Sequence, residues 1–209
     1  MSYPSTDNSG ENMSTVYDQN VDFYIDFVDR GLNSDRYLPL LELMTDLIGA
    51  RLNGARVCDL CCGEGYLGRH LVAHGAREVV GIDASAELIG HARARANSAS
   101  LTYHRDDAQA LSSLTDGTFD VVASQLAIMD VADHRALFSA VRRVLVPHGV
   151  FVFSTLHPCF KARPFHVRDA PENLLDENGE PLGVPLDGPA NGALFSEVPM
   201  VLVVAARAN

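Results

Sequence analysis

The sequence predicts an α/β fold with a doubly wound parallel sheet, and three observations support that prediction. Between residues 55 and 155, short apolar runs suited to strands alternate with amphipathic helical stretches. The strand-like runs are apolar at nearly every position, as expected for parallel strands covered by helices on both faces. The first run also ends in a glycine-rich turn that leads into a helix, which is typical of a nucleotide-binding turn.

The first fifty residues precede this alternating pattern. Residues 1–12 are rich in Ser, Asn and Asp and are expected to be disordered. Apolar residues at helical spacing predict two helices, at 14–30 and 37–50, which form an N-terminal cap region over 13–52. Pro39 fits the first turn of the second helix.

The main domain is predicted to cover 53–209. Its first elements are a strand at 55–60, a helix at 65–74, a strand at 77–82, a helix at 85–97, a strand at 101–104, a short helical turn near 109–113, a strand at 118–124, a helix at 132–146 and a strand at 149–155. Residues 157–195 are rich in Pro and Gly and have no helical period, which predicts a long loop. An apolar run at 198–206 predicts a final strand.

The bulk composition indicates one globular domain. The chain has 209 residues, of which 47% are apolar and 21% charged, enough for a sizeable core. The net charge of −11 argues against nucleic acid or an anionic membrane surface as the main partner. The sequence contains no apolar run long enough to span a bilayer and no signal-peptide pattern, so we expect a cytoplasmic protein.

The turn after the first strand carries the strongest functional signal. Residues 63–68 read Gly-Glu-Gly-Tyr-Leu-Gly, and Asp83 follows Gly63 by twenty residues, which matches a dinucleotide-binding fingerprint. However, Asp59 stands at the end of the first strand, where a carboxylate would oppose a pyrophosphate. A cofactor with a cationic amine and no phosphate, such as S-adenosylmethionine, would instead be attracted.

Five short motifs, in order, resemble those of the class I S-adenosylmethionine-dependent methyltransferases, of the bacterial small-molecule or peptide type. They are 59–65 at the glycine turn, Asp83 after the second strand, Asp107 and Ala108 after the third, 119–125 along the fourth, and 145–153 leading into the fifth. The resemblance implies a Rossmann-like sheet with parallel strands ordered 3-2-1-4-5 and an antiparallel last strand. The family's strand-6 region is apparently missing, because 157–195 shows neither helix nor strand.

The resemblance also implies roles for individual residues. It assigns the methionine end of the cofactor to Asp59, the Gly63 backbone and Gln125, and the ribose to Asp83. It assigns the adenine to Ala84, Asp107 and Ala108, and a contact from the cap to Tyr17. Cys61 and Gly65 of the same turn are also expected to bind the cofactor. Cys61 replaces the first glycine of the family motif, so its backbone is expected to keep a negative φ.

The chemistry predicted from this site is methyl transfer. His157, just past the fifth strand, is the candidate general base for a hydroxyl acceptor, whereas a neutral amine needs none. No metal is expected, because Cys58 and Cys61 lie three apart and on a strand would point to opposite faces.

We therefore predict an S-adenosylmethionine-dependent methyltransferase, a transferase that acts on a nitrogen or oxygen of a small molecule or peptide. We expect neither nucleic acid nor membrane as partner, and the apolar last strand suggests a homodimer contact. One alternative is a catalytically impaired binding protein with this fold. The other is an NAD-dependent oxidoreductase, although the chain has no Tyr-x-x-x-Lys pair.

Overall fold

A six-stranded mixed sheet forms the centre of the computed structural model, which describes residues 16–33, 38–156 and 201–207. The strands are β1 (Arg56–Leu60), β2 (Glu78–Asp83), β3 (Leu101–Arg105), β4 (Phe119–Gln125), β5 (Leu145–Leu156) and β6 (Val201–Arg207). They are ordered β3-β2-β1-β4-β5-β6. The first five pair in parallel and β6 is antiparallel to β5, as the sequence predicted.

Six α-helices and two short 3-10 helices accompany the sheet in the described part of the chain. The α-helices are α1 (Val16–Gln19), α2 (Val21–Asn33), α3 (Leu38–Ile48), α4 (Tyr66–Ala73), α5 (Ala86–Ala94) and α6 (His134–Val144), and the 3-10 helices are Gly49–Leu52 and Ile128–Asp130. The predicted first helix, 14–30, is therefore interrupted at Asn20. Asp133 caps α6, because its Oδ1 accepts from the Ala136 N–H at 3.0 Å.

Apolar cores lie on both faces of the sheet, which explains the continuously apolar strands. Along β4, Val121 and Ala123 belong to one core and Val122 to the other. The first core takes its helical side chains mainly from α3, α4 and α5. The second takes them from α6. Helix cover on both sides leaves the carboxyl ends of the strands as the place for a ligand.

Three predicted elements differ in detail. The stretch near 109–113 forms hydrogen-bonded turns rather than helix, and Leu111 there has a φ of +48°. The fifth strand begins at Leu145 rather than at 149, because Leu145 pairs with Phe119 before the register shifts. The helix before it therefore ends at Val144 and not at 146.

Several predictions fall on residues that the structure does not describe. The disorder predicted for 1–12, and the loop over 157–195 with its apparently missing strand-6 region, lie outside the described residues. The sheet nevertheless has a sixth strand, and it is the predicted last strand of the sequence. None of the helices in the described part combines the length and apolar character needed to cross a bilayer.

Candidate cofactor-binding site

The glycine-rich turn joins the end of β1 to the start of α4. The Cys62 N–H donates to the carbonyl of Ile82 at 2.9 Å, which anchors the turn to β2. Gly63 and Gly65 have φ values of +54° and +85°, a region that side chains rarely adopt. A Cβ on Gly65 would lie 2.5 Å from Tyr103 Oη, so this turn requires glycine for space as well as for conformation.

The backbone at Cys61 differs from the prediction. We expected a negative φ there, but the value is +57°, so that prediction is wrong. The left-handed conformation costs a non-glycine residue about 1–2 kcal/mol. The tight reversal between β1 and the anchored Cys62 imposes it, so Cys61 adopts the conformation that glycine accepts most easily.

Asp59, the fourth residue of β1, is buried beneath the turn with 1% of its surface exposed. Its Oδ2 accepts a hydrogen bond from the Gly68 N–H at 2.9 Å. Burial raises the pKa of this carboxyl to about 7, although the Gly68 hydrogen bond opposes the rise, and the nearby Asp83 adds to it. A cation brought beside Asp59 would reverse that shift, which suits the carboxylate to a cationic ligand.

Asp83 ends β2 and is tied to the same turn. Its Oδ2 accepts from the Gly63 N–H at 2.8 Å and its Oδ1 from the Ser85 N–H at 2.9 Å. Burial raises its pKa, while these backbone hydrogen bonds lower it. Each carboxylate oxygen keeps a further lone pair, so Asp83 can still accept two hydroxyl hydrogen bonds.

The predicted adenine residues follow β2 and β3. Asp107 Oδ1 accepts from the Gln109 N–H at 2.8 Å, and Ala108 is buried in the second core. Ala84 is half-buried, and its carbonyl accepts from Arg105 Nε at 2.9 Å. These residues lie on neighbouring loops at the carboxyl ends of the strands, and their adenine contacts stay a prediction.

Gln125 ends β4 and is an unsatisfied polar side chain. It is 7% exposed, and both its Oε1 and its Nε2 lack a hydrogen-bond partner among the described residues. Its register partner on β5 is Ser154. A buried amide without partners costs folding free energy, so Gln125 has hydrogen-bonding capacity left for a polar ligand group at the end of β4.

The cap helices α1 and α2 contact the site through two tyrosines, of which the sequence analysis predicted only one. Tyr17 Oη donates to Asp130 Oδ2 at 2.9 Å, and burial followed by the Asp130 charge raises the Tyr17 pKa. Tyr24, in α2, lies directly over the turn, since a Cβ on Gly63 would be 2.8 Å from Tyr24 Oη. Tyr24 is therefore a cap residue that lies against the glycine turn, and its helical spacing from Tyr17 was the sequence signal for it.

Two further polar residues near the site were missed. Asp18 of α1 accepts from Ser85 Oγ at 2.5 Å, which ties the cap to the start of α5. Glu64, between the two glycines, is completely buried and ion-paired with Arg69 and Arg95. A charged residue inside a Gly-x-Gly turn was the sequence signal for this network.

The predicted general base, His157, lies outside the described residues. Among those described, no cluster of three or more His, Cys, Asp or Glu side chains could hold a metal ion. His134, at the start of α6, shares a 2.9 Å hydrogen bond with the carbonyl of Ile128, which indicates a structural role.

Comparison with known proteins also finds similarity to methyltransferases. Residues 57–149 match a family model described as a methyltransferase domain. A Mycolicibacterium smegmatis protein named as a probable S-adenosylmethionine-dependent methyltransferase is 32% identical over 171 residues, 75% of this chain and 63% of the relative. A ubiquinone biosynthesis O-methyltransferase of Aromatoleum aromaticum is 34% identical over 123 residues, 58% of this chain and 52% of the relative.

A solved structure agrees with these relatives. The S-adenosylmethionine-dependent methyltransferase from Mesorhizobium loti aligns with a TM-score of 0.54 and 38% identity over 60% of this chain and 56% of its own. The chain spans about half the length of several curated relatives it matches. The matched segment contains the glycine turn, Asp83, Asp107 and Gln125. The sheet order, the turn and these matches together identify a class I S-adenosylmethionine-dependent methyltransferase domain in this chain.

Proposed function

We propose that this protein transfers a methyl group from S-adenosylmethionine to a nitrogen or oxygen atom of a small molecule or peptide. The observation that carries the proposal is the pair of acids, Asp59 and Asp83, on either side of the glycine turn. A buried carboxylate at Asp59 and a partly buried one at Asp83 disfavour the pyrophosphate of NAD and favour a ligand with an ammonium and free ribose hydroxyls. The family match supports methyl transfer over hydride transfer.

The described residues fit this cofactor chemically. Asp59 would hold the ammonium, Asp83 the ribose hydroxyls and Asp107 the adenine amine. The unsatisfied amide of Gln125 supports a polar ligand group at the end of β4. Tyr24 lies over the turn and would shield this end of the site from water.

When bound, S-adenosylmethionine supplies a methyl group on a positively charged sulfur. The protein's part is then to orient the acceptor and to exclude water, which can provide much of the rate enhancement. An amine acceptor must be present as the neutral base, whereas a hydroxyl acceptor gains from a general base. His157 remains the candidate for that base.

The names of the relatives, rather than the described site residues, suggest which class of methyl acceptor to test first. The Aromatoleum relative is an O-methyltransferase of ubiquinone biosynthesis, so oxygen acceptors are the first to test. Amines of peptides and of small molecules are the next acceptors to test, since the sequence analysis predicted either class.

Calorimetry with S-adenosylmethionine, S-adenosylhomocysteine and NAD tests the cofactor. We expect saturable heat with the first two, and heat with NAD alone would overturn the proposal. Transfer of a labelled methyl group into pooled acceptors then tests the activity. Cofactor binding without product on any acceptor would favour the impaired binding protein instead.

The homodimer expected through the last strand is also a proposal. In the described part of the sheet β6 is the edge strand beyond β5, and an edge strand offers free backbone groups to a second copy. Sedimentation equilibrium checks it: a dimer is expected, and a monomer at all concentrations would contradict it.

A further inference from the structure

Four charged side chains connect the glycine turn to the cap helix α2. Glu64 lies between Gly63 and Gly65 and is completely buried. Both of its carboxylate oxygens accept from Arg69 Nη2 at 2.8 Å. Its Oε2 also accepts from Arg95 Nη1 at 3.0 Å. The buried charge of the turn is thus neutralised from α4 and from the end of α5.

Arg95 joins this buried charge to the cap. It is the C-cap residue of α5, and its two terminal nitrogens donate to Asp29 of α2 at 2.8 and 2.9 Å. The same Nη1 donates to Glu64. A planar guanidinium holds two carboxylates in fixed directions, which a lysine ammonium cannot do.

A second contact from α2 reaches the same turn. Tyr24, five residues before Asp29 on this helix, lies against Gly63. The Arg95 hydrogen bond lowers the pKa of Asp29, so its carboxylate is charged throughout the neutral range. Two contacts from one helix, one aromatic and one ionic, therefore fix α2 relative to the turn.

We infer that Arg95 is a positioning residue for cofactor binding: by holding Asp29 and Glu64 together, it fixes α2 and Tyr24 over the glycine turn. The inference rests on the proposed binding of S-adenosylmethionine at that turn. A preorganised site loses less conformational freedom on binding, so the network raises cofactor affinity without touching the ligand.

The test compares two carboxylates of the same helix. Asp29→Asn breaks the pair with Arg95, whereas Asp26→Asn removes only an exposed pair with Arg30 inside α2. For S-adenosylhomocysteine we expect the dissociation constant to rise about fivefold in Asp29→Asn and less than about twofold in Asp26→Asn. In steady-state assays the loss appears in the KM for the cofactor, with kcat unchanged at saturation.

Two further measurements separate positioning from general stability. Without any ligand, amide exchange in α2 speeds up in Asp29→Asn while exchange in the central strands does not. Arg95→Lys keeps the charge but loses the planar fork, and is expected to weaken binding as Asp29→Asn does. The double variant is expected to bind the cofactor no more weakly than Arg95→Lys alone, because Asp29→Asn breaks a link that Arg95→Lys has already broken.

The outcomes distinguish this inference from the proposed function. Equal affinity and equal α2 exchange in Asp29→Asn and Asp26→Asn would overturn the positioning role and leave the proposed function standing. Failure of the unaltered protein to bind S-adenosylmethionine or S-adenosylhomocysteine would overturn both.

Discussion

Asp59 illustrates at the scale of one residue how a binding site can oppose folding. It is almost fully buried with one backbone hydrogen bond, and burial raises its pKa to about 7. A raised pKa means that the folded chain holds this proton more tightly than the unfolded chain. The stability of the ligand-free protein therefore decreases as pH rises through about 7.

The substitution Asp59→Asn tests the effect of the Asp59 charge both on the stability of the ligand-free protein and on cofactor affinity. The asparagine oxygen can still accept from Gly68, but the buried charge is gone. We expect the ligand-free melting temperature at pH 8 to rise by about 3 °C, since 1 kcal/mol corresponds to about 2–4 °C at this size. S-adenosylmethionine affinity is expected to fall at least about tenfold with loss of the charged pair, as calorimetry would measure.

Asp120 offers a matched control at the opposite end of the sheet. Its Oδ2 also accepts a backbone hydrogen bond, from the Arg56 N–H at 2.8 Å. Asp120→Asn makes the same chemical change and is expected to leave cofactor affinity unaltered. If Asp59→Asn bound the cofactor as tightly as the unaltered protein, the ammonium would not lie at Asp59.

At the scale of elements, the turn depends on a strand that is distant in sequence. Gly65 is the N-cap of α4, and Tyr103 of β3 fills the space beside it, with Tyr103 Oη donating to the Gly65 carbonyl at 3.3 Å. The shape of the turn is thus set by the packing of β3 against β2 as well as by its own glycines.

The substitution Gly65→Ala is expected to destabilise the protein strongly. The new Cβ would lie 2.5 Å from Tyr103 Oη and 2.7 Å from its Cζ, in a backbone with a φ of +85°. Strain and overpacking together predict a loss of about 3 kcal/mol in the free energy of unfolding. Urea denaturation measures it.

The control for this element is Gly117→Ala. Gly117 has a φ of +59°, but a Cβ added there would meet nothing within 4 Å, so only the strain of about 1 kcal/mol applies. Equal losses at the two positions would show that Tyr103 does not restrict the turn.

For the whole molecule, the buried carboxyl group of Asp59 predicts how cofactor binding responds to pH. Below pH 7 much of Asp59 is protonated in the ligand-free protein, and a bound ammonium favours the ionised form. Binding of S-adenosylmethionine therefore releases a proton below about pH 7, and affinity rises with pH up to about 7 and levels off above it.

Calorimetry in two buffers with different ionisation heats measures that proton release directly. The Asp59→Asn variant serves as control and is expected to lose most of the pH dependence. Proton uptake by the protein on binding would contradict the proposed ion pair.

Much of this architecture could be predicted from local pattern. The alternation of apolar strands and amphipathic helices predicted a parallel sheet covered on both faces, which the structure confirms. The strand order and the antiparallel last strand were implied by the resemblance to the methyltransferases, and the sheet confirms them too. The sequence also allowed us to predict that Asp59 and Asp83 lie close together, because neighbouring parallel strands present their carboxyl ends at the same edge of the sheet.

Other features depended on contacts that no local pattern encodes. The positive φ of Cys61 follows from the anchoring of Cys62 to β2, and a single turn sequence does not reveal that constraint. The cap prediction named Tyr17, and the structure adds Tyr24, whose ring centroid lies 5.3 Å from that of Tyr17 and whose Oη lies against Gly63. The packing angle of α2 decides that Tyr24 reaches the turn.

The sequence by itself determined the fold class, the glycine turn and the acids around it, since each depends on short-range periodicity and spacing. Only the tertiary structure decided how the cap meets that turn. Arg95 lies 66 positions from Asp29 and 31 from Glu64, and an ion network of this span forms only when helices from separate parts of the chain pack together. The physical reason is that buried charges are satisfied by neighbours in space, whatever their distance along the chain.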